Sequence, residues 1–463
     1  MASIKTHWSV KRRSIVLAGT SLLFAPQYAF TQPVVNVREM GAHGDGSRDD
    51  TDAIASAIRA ASLSNGAVYL PAGIYSYSDV IRAGSVRLIG EGEKTTIQAM
   101  NPSRGAVMLT GKSAEIVGIT FTSPNARSRL SNPEAAAVCI FEAEKFSVSN
   151  CIIRSAASAG ILNLGGTNGK IFANKISGTL ADGIHNTKRA QEIDVFENNV
   201  TEVGDDGIAV VSYKGQGAPC SRIRIRNNVI FSNRARGIAV VGGEDVLIVG
   251  NRCESTLAAG ILLAQEDSWN TLSVSRVDVL ANLLVRCAVG FPSPNQAPIL
   301  LNAWSGAVSK INIEGNKIVG VGHGKGPAVR VDQRIEDVTL AANTFETVPM
   351  GIRVNGRNVR ITKNLFTEVS GPCVSVEQRA SGICSIKGNT FRVHRSRSKQ
   401  EPFTALVGCG DVELLSIENN RINVTPSDAA PPLLRRDGSS PQKWFARQNY
   451  VNERPLFDGE GTN

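Results

Sequence analysis

The densest run of chemistry-bearing residues lies between positions 180 and 240. Ala181-Asp182-Gly183-Ile184-His185-Asn186 is followed, 24 residues on, by Gly204-Asp205-Asp206-Gly207-Ile208-Ala209. Aligning the two Gly-Ile steps stacks Asp182 under Asp206, with Asp205 beside it. In a parallel stack, equivalent residues lie about 5 Å apart. Three carboxylates so close repel, and at least one should hold its proton near neutral pH. Such a group can serve as general acid. If Ile184 points inward, His185 points outward and Asn186 inward, where Asn163 one coil earlier would pair with it. Lys188, Arg189, Tyr213, Lys214 and Arg236 lie nearby in the sequence and could bind uronate carboxylates. A plainer role competes: Asp before Gly-Ile also caps a sharp corner well.

Such a cluster needs a scaffold with a fixed register, and the chain shows one. Gly160-Ile161, Gly183-Ile184, Gly207-Ile208, Gly237-Ile238 and Gly260-Ile261 recur, continued by Gly290-Phe291, Ala328-Val329 and Gly351-Ile352. Asn150, Asn174, Asn198, Asn227, Asn251, Asn282, Asn316, Asn343, Asn364, Asn389 and Asn420 run in step with them. Both series have a base period of about 23 residues. Between the markers the chain alternates at period two, as over Ile223–Arg226 and Val246–Val249, which is strand periodicity. A repeat of short strands cannot bury its inner face alone, but coil stacked on coil can. The predicted fold is all-β, a single-stranded parallel β-helix. Stacked Asn amides would hydrogen-bond along it, and Asn tolerates the left-handed backbone of a sharp corner. Ile208 and Ile238 should be adjacent inward rungs, with Ala209 and Ala239 outward and tolerant of substitution.

The front of the chain differs. Asp49-Asp50-Thr51-Asp52-Ala53-Ile54 opens a helix whose Ile54, Ala57, Ile58 and Ala61 share one face. It reads as a cap over the apolar end of the solenoid. His43, Asp45, Asp49 and Asp50 are expected to be turn and cap groups.

Gly41-Ala42-His43-Gly44-Asp45-Gly46, Asp49 to Ile54 and Val68-Tyr69-Leu70-Pro71-Ala72-Gly73-Ile74-Tyr75 resemble the opening of the pectate-lyase-like superfamily of right-handed parallel β-helices. With the coils, the resemblance covers residues 34 to about 425. It implies the right-handed fold and a habit of acting on sugar polymers outside the cytoplasm. The acid cluster partly resembles that of the polygalacturonases, inverting glycoside hydrolases. That likeness implies Asp206 as acid, with Asp182 and Asp205 holding a water between separated carboxyls. Departures are clear: Leu180-Ala181 replaces the family's Asn-Thr, and Ala235-Arg236-Gly237 its Gly-His-Gly. The family's Arg-Ile-Lys is not visible after Gly260.

Lys11-Arg12-Arg13 stands directly before the apolar stretch from Ile15 to Ala25, too short to span a membrane. It reads as an export signal, and the adjacent Arg12 and Arg13 resemble the twin-arginine type. Expected segments are a signal peptide at 1–31, a cap and first coils at 32–100, repeats at 101–424 and a C-terminal wrap at 425–463. The expected location is the periplasm or the exterior, with the twin-arginine machinery as export partner and no membrane association after cleavage. Formal net charge is +9, and about +5 without the basic first 31 residues, which suits acidic ligands. Basic runs interleaved with aromatics are absent, so nucleic acid is not expected. The eight cysteines show no CxxC pair and sit in apolar runs, as buried thiols do. Three functions fit: hydrolysis of an acidic polysaccharide or envelope glycan, a Ca²⁺-dependent lyase or epimerase reaction on it, or binding without catalysis. No metal or other cofactor is expected except Ca²⁺ for the lyase.

Overall fold

The computed structural model describes residues 33–290, 293, 295–322, 324–394, 406–408, 412–425, 434–436, 441–455 and 459–462. Arg12, Arg13 and the rest of the expected export signal lie outside the described residues.

The chain winds as a right-handed parallel solenoid. One side is a 14-stranded sheet with a single short strand from each coil, and the remaining strands form a 32-stranded sheet. In the shorter sheet, six strands position the acid cluster: β1 (Ile161–Leu164), β2 (Ile184–Thr187), β3 (Ile208–Val211), β4 (Ile238–Val241), β5 (Ile261–Gln265) and β6 (Ile299–Ala303). Their first residues form one column, Ile161, Ile184, Ile208, Ile238, Ile261 and Ile299. All six are fully buried. Each contributes about 1.5–3 kcal/mol by leaving water, and the next coil supplies the surface that covers it.

The glycine before each isoleucine is there for space. A Cβ on Gly183 would sit 2.6 Å from the Gly207 carbonyl oxygen, and one on Gly237 2.5 Å from that of Gly260. Phe291 of the expected Gly290-Phe291 step lies outside the described residues, and the next member of the column is Ile299, which pairs with Ile261. An insertion before Pro298 displaces the marker.

The asparagine ladder runs through Asn174, Asn198, Asn228, Asn251, Asn282, Asn316, Asn343, Asn364, Asn389, Asn420 and Asn449. Each amide oxygen accepts from the neighbouring rung, as Asn282 Oδ1 does from the Asn251 backbone N–H at 2.9 Å and its side-chain nitrogen at 3.0 Å. Two expected members are displaced. Asn228 rather than Asn227 is the rung, because Ile230, not Val229, pairs with Val200. Cys151 occupies the place next to Asn150 and donates its backbone N–H to Asn174. The left-handed corner belongs to the residue before each rung, such as Ala173, Glu197, Asn227 and Ala281. The corner and the amide stack are thus divided between two residues.

The helix α1 spans Thr51–Leu63 and buries Ile54, Ala57, Ile58 and Ala61, packing against the strands at Val34–Asn36, Ala67–Tyr69 and Ile81–Gly84. Asp50 makes no cap hydrogen bond. Its carboxylate accepts the N–H groups of His43 at 2.6 Å and Gly44 at 3.0 Å, tying down the preceding loop. Asp49 accepts from the Thr51 N–H at 2.9 Å. Coiling continues past residue 424, for Lys443–Arg447 pairs in parallel with Leu414–Glu418. The seven cysteines among the described residues are free and buried.

Candidate active site

Asp182 and Asp206 occupy the corner just before β2 and β3, held in register by the Ile184–Ile208 pair. Asp182 Oδ1 accepts the Asp206 backbone N–H at 2.9 Å, and Asp206 Oδ1 accepts that of Arg236 at 2.9 Å. Each acid therefore also ties the next coil in place. The expected interior amide pair is present: Asn163 Nδ2 donates to Asn186 Oδ1 at 3.1 Å.

Every acid meets a cation. Asp182 Oδ2 lies 2.5 Å from His185 Nδ1. Arg236 Nε stands 3.0 Å from Asp206 Oδ1, though its N–H is not aligned to donate. Arg129 Nη1 donates to Asp205 Oδ2 at 2.6 Å. One oxygen from each of the three acids falls within 4.8 Å of the others.

This crowding separates the titrations. Burial, joined by the carboxylates of Asp182 and Asp205, pushes Asp206 up to about 7 against the pull of Arg236. Burial also pushes Asp182 upward, but the hydrogen bond and charge of His185 outweigh it and hold Asp182 below its ordinary value. For His185, burial favours the neutral ring, yet Asp182 keeps it above the ordinary histidine value. The site thus sets a lowered Asp182 against a raised His185, beside an Asp206 carboxyl whose pKa of about 7 lies near neutrality.

The other expected residues divide. Arg236 and His185 join the cluster. Tyr213 packs on the outer face of the sheet, and burial and the Asp182 carboxylate raise its hydroxyl's pKa. Lys188 does not join: its Nζ pairs with Glu142 at 2.9 Å and lies over the Phe141 ring. Lys214 is exposed in the loop after β3, its N–H bonded to the Asn270 carbonyl at 2.7 Å. Both follow their strands, so the strand's width separates them from acids that precede it.

Two contributors escaped the sequence reading. Arg129 comes from the insertion between the strands Glu115–Thr122 and Val138–Phe141, where no repeat marks a partner 76 residues away. Glu266 follows β5, and its charge acts on both Arg236 and Tyr213. The outer face of the sheet differs from expectation too. Ala209 and Ala239 face outward, yet they are buried with Val211, Val241, Leu262 and Leu300 beneath Tyr213.

A divalent cation fits this arrangement poorly. Ca²⁺ wants six to eight oxygen ligands. Here Asp182, Asp205 and Asp206 each already face a basic side chain, His185 at 2.5 Å, Arg129 at 2.6 Å and Arg236 at 3.0 Å.

The family model described as rhamnogalacturonase A/epimerase, pectate lyase-like, matches residues 34–262. A second, described as right handed beta helix region, matches residues 195–345. No curated protein matches the chain in sequence. Among solved structures, the catalytic unit of a thermostable GH87 α-1,3-glucanase from Streptomyces thermodiastaticus superposes with a TM-score of 0.58 at 20% identity, over 90% of this chain and 70% of that one. PfbA, a surface adhesin of Streptococcus pneumoniae, gives 0.61 at 17% identity, over 74% of this chain and 92% of its own. The Agl-KA catalytic domain gives 0.53 at 19% identity, over 91% and 69%. With the coil register described above, these likenesses show a right-handed parallel β-helix, whose residues 34–262 are similar to the pectate-lyase-like family.

Proposed function

We propose that the protein hydrolyses a polysaccharide through the Asp182–Asp205–Asp206 cluster, with Asp206 as general acid. One observation carries this reading: a buried carboxyl beside two others, with its pKa raised to about 7. A general acid works best with a pKa near the working pH. Asp206 would pass its proton to the glycosidic oxygen as the bond from that oxygen to the anomeric carbon breaks. The carboxylate left behind would then be stabilised by Arg236. Asp205, the most exposed of the three, would take the proton of the attacking water and deliver it to solvent. The acid oxygens lie within 4.8 Å, closer than the roughly 6.5–9.5 Å usual for inverting pairs. The attacking water would therefore have to enter within hydrogen-bond reach of Asp205, at the solvent side of the cluster. An α-1,3-glucanase among the fold neighbours is in keeping with a glycan partner. The positive net charge favours an acidic glycan, and Arg12-Arg13 favours twin-arginine export to the periplasm or beyond.

The purified protein should release reducing ends from an acidic polysaccharide with or without a chelator, and the products should carry no conjugated double bond. A chelator-sensitive, unsaturated product would replace hydrolysis by the lyase reaction. Binding without product from any polymer would favour the non-catalytic reading, which has its own support. Asp182 and Asp206 each accept a backbone N–H from the next coil and would serve as corner caps without any chemistry.

A further inference from the structure

Arg129 reaches the acids from a distant part of the chain, and its route is built in detail. It sits on a strap, residues 123–137, inserted between the strands Glu115–Thr122 and Val138–Phe141. Val138 belongs to a coil three below that of Ile208. The strap and its arginine therefore span about 14 Å along the solenoid to meet Asp205. The corner it crosses offers Ala156, Ala157, Ser158 and Ala159, all buried, whose small side chains let the strap lie close. Backbone bonds fix it there. The Leu130 N–H donates to the Ala157 carbonyl at 2.8 Å, and the Ser158 N–H to that of Ala135 at 3.1 Å. Both flanks are tied to an earlier coil. Asn125 Nδ2 donates to the Met100 carbonyl at 3.0 Å, Asn132 Nδ2 to that of Ser103 at 2.8 Å, and Glu134 pairs with Arg104 at 2.8 Å. Leu130 adjoins Arg129, so these anchors set the point from which the guanidinium extends.

The contact itself is directional. Arg129 Nη1 donates to Asp205 Oδ2 at 2.6 Å, whereas Arg236 Nε beside Asp206 is not aligned to donate. Among the described residues, none donates to Asp205 Oδ1. The Arg129 side chain is 54% exposed and that of Asp205 25%, which puts the pair at the solvent edge of the cluster. Ion pairs this exposed add little stability, so what the contact supplies is orientation and charge. Its charge also acts on Asp182, Asp206 and the Tyr213 hydroxyl. Burial pushes Asp182 up, His185 pulls it down, and Arg129 adds to that pull. The remaining charged groups around the acids are Arg236 and Glu266.

We infer that Arg129 is a positioning residue for the proposed hydrolysis: it holds the Asp205 carboxylate by Oδ2 and leaves Oδ1 for the attacking water. The inference rests on the hydrolase reading above and adds the residue that orients its base. As the water oxygen bonds to the anomeric carbon, its proton passes to Asp205 Oδ1, while the proton of Asp206 goes to the departing glycosidic oxygen. A carboxylate free to rotate meets the water in the right orientation only part of the time, and a fixed one removes that loss.

The test compares full-length wild type with Arg129→Ala, Arg129→Lys and Arg127→Ala. Arg127 Nη1 donates to the Pro124 carbonyl at 2.9 Å, so its loss removes the same charge from the same strap without touching an acid. On polygalacturonate, Arg129→Ala should lower kcat about tenfold or more and leave KM within about twofold. Arg129→Lys should keep more of the rate, guanidinium chloride far below denaturing concentration should restore part of it to Arg129→Ala, and Arg127→Ala should match wild type. Without substrate, carbon-13 titration of the carboxyls should place Asp182 at higher pH in Arg129→Ala than in wild type. A folded Arg129→Ala protein with wild-type kcat would overturn the inference, and so would an equal loss in Arg127→Ala or an unmoved Asp182 titration. The two proposals fail distinguishably. Wild type that cleaves while Arg129→Ala keeps its kcat sinks the positioning role alone. Wild type that releases no reducing ends sinks the hydrolase and the positioning role together.

Discussion

Replacing Asp206 by Asn should change how stability depends on pH. The Asp206 carboxyl is raised from its ordinary 3.8 to about 7 in the fold. Because the folded value exceeds the unfolded one, the native state holds this proton more tightly. The stability this contributes is complete below about pH 4 and is lost as pH rises through about 7. Integrated from pH 5 to pH 8, the loss amounts to about 2–3 kcal/mol. His185, also raised, adds a loss of the same sign above its ordinary range. Asp182, lowered, acts in the opposite sense and only in acid, where its contribution disappears as pH falls below its ordinary value. A carboxamide at this position would keep an oxygen for the Arg236 N–H but could not ionise. From pH 5 to pH 8 the Asp206→Asn variant should therefore gain about 2–3 kcal/mol on the wild type. Denaturant midpoints of both proteins at pH 5, 6, 7 and 8 measure the gap. Parallel curves across that range would refute the raised carboxyl and the crowding argument behind it.

Three further outcomes are expected. Ile208→Ala should cost about 2–5 kcal/mol through the cavity it opens in the inner column, and Ala239→Leu should cost about 1–3 kcal/mol, because that outward position is covered; unfolding curves read both. Asn251→Ala should cost about 1–3 kcal/mol or more, since buried donors and acceptors on both neighbouring rungs lose their partner, and the amides around it should exchange hydrogen faster. Arg12→Lys with Arg13→Lys keeps the charge but removes the guanidinium forks; the precursor should stay in the cytoplasm when fractions are blotted.

The solenoid was legible because its markers are local and periodic. Gly-Ile steps and asparagines repeat wherever a coil turns, and a Cβ or a missing amide at those places would collide with the next coil or leave it unbonded. Errors arose where the pattern was locally ambiguous. Asn227-Asn228 offers two asparagines for one rung, and the buried Ile230 decides between them. After Gly260-Ile261 the next column member is Ile299, which no Gly-Ile step precedes. The acids were legible for the same reason, since one register places all three. Their counter-charges were less so. His185 and Arg236 lie within the repeat, but Arg129 arrives on an insertion with no period, and Lys188 follows its strand rather than preceding it.

The most direct test of the hydrolytic reading is the pH dependence of reducing-end release, measured on wild type and on Asp206→Asn whose folding has been verified on the same sample. The wild-type rate should fall as pH rises through about 7, where Asp206 loses the proton it donates. Asp206→Asn should lose about 10²-fold or more of that rate while remaining folded. A folded Asp206→Asn protein that cleaves the polymer as fast as wild type would contradict the assignment and leave the three aspartates as corner caps.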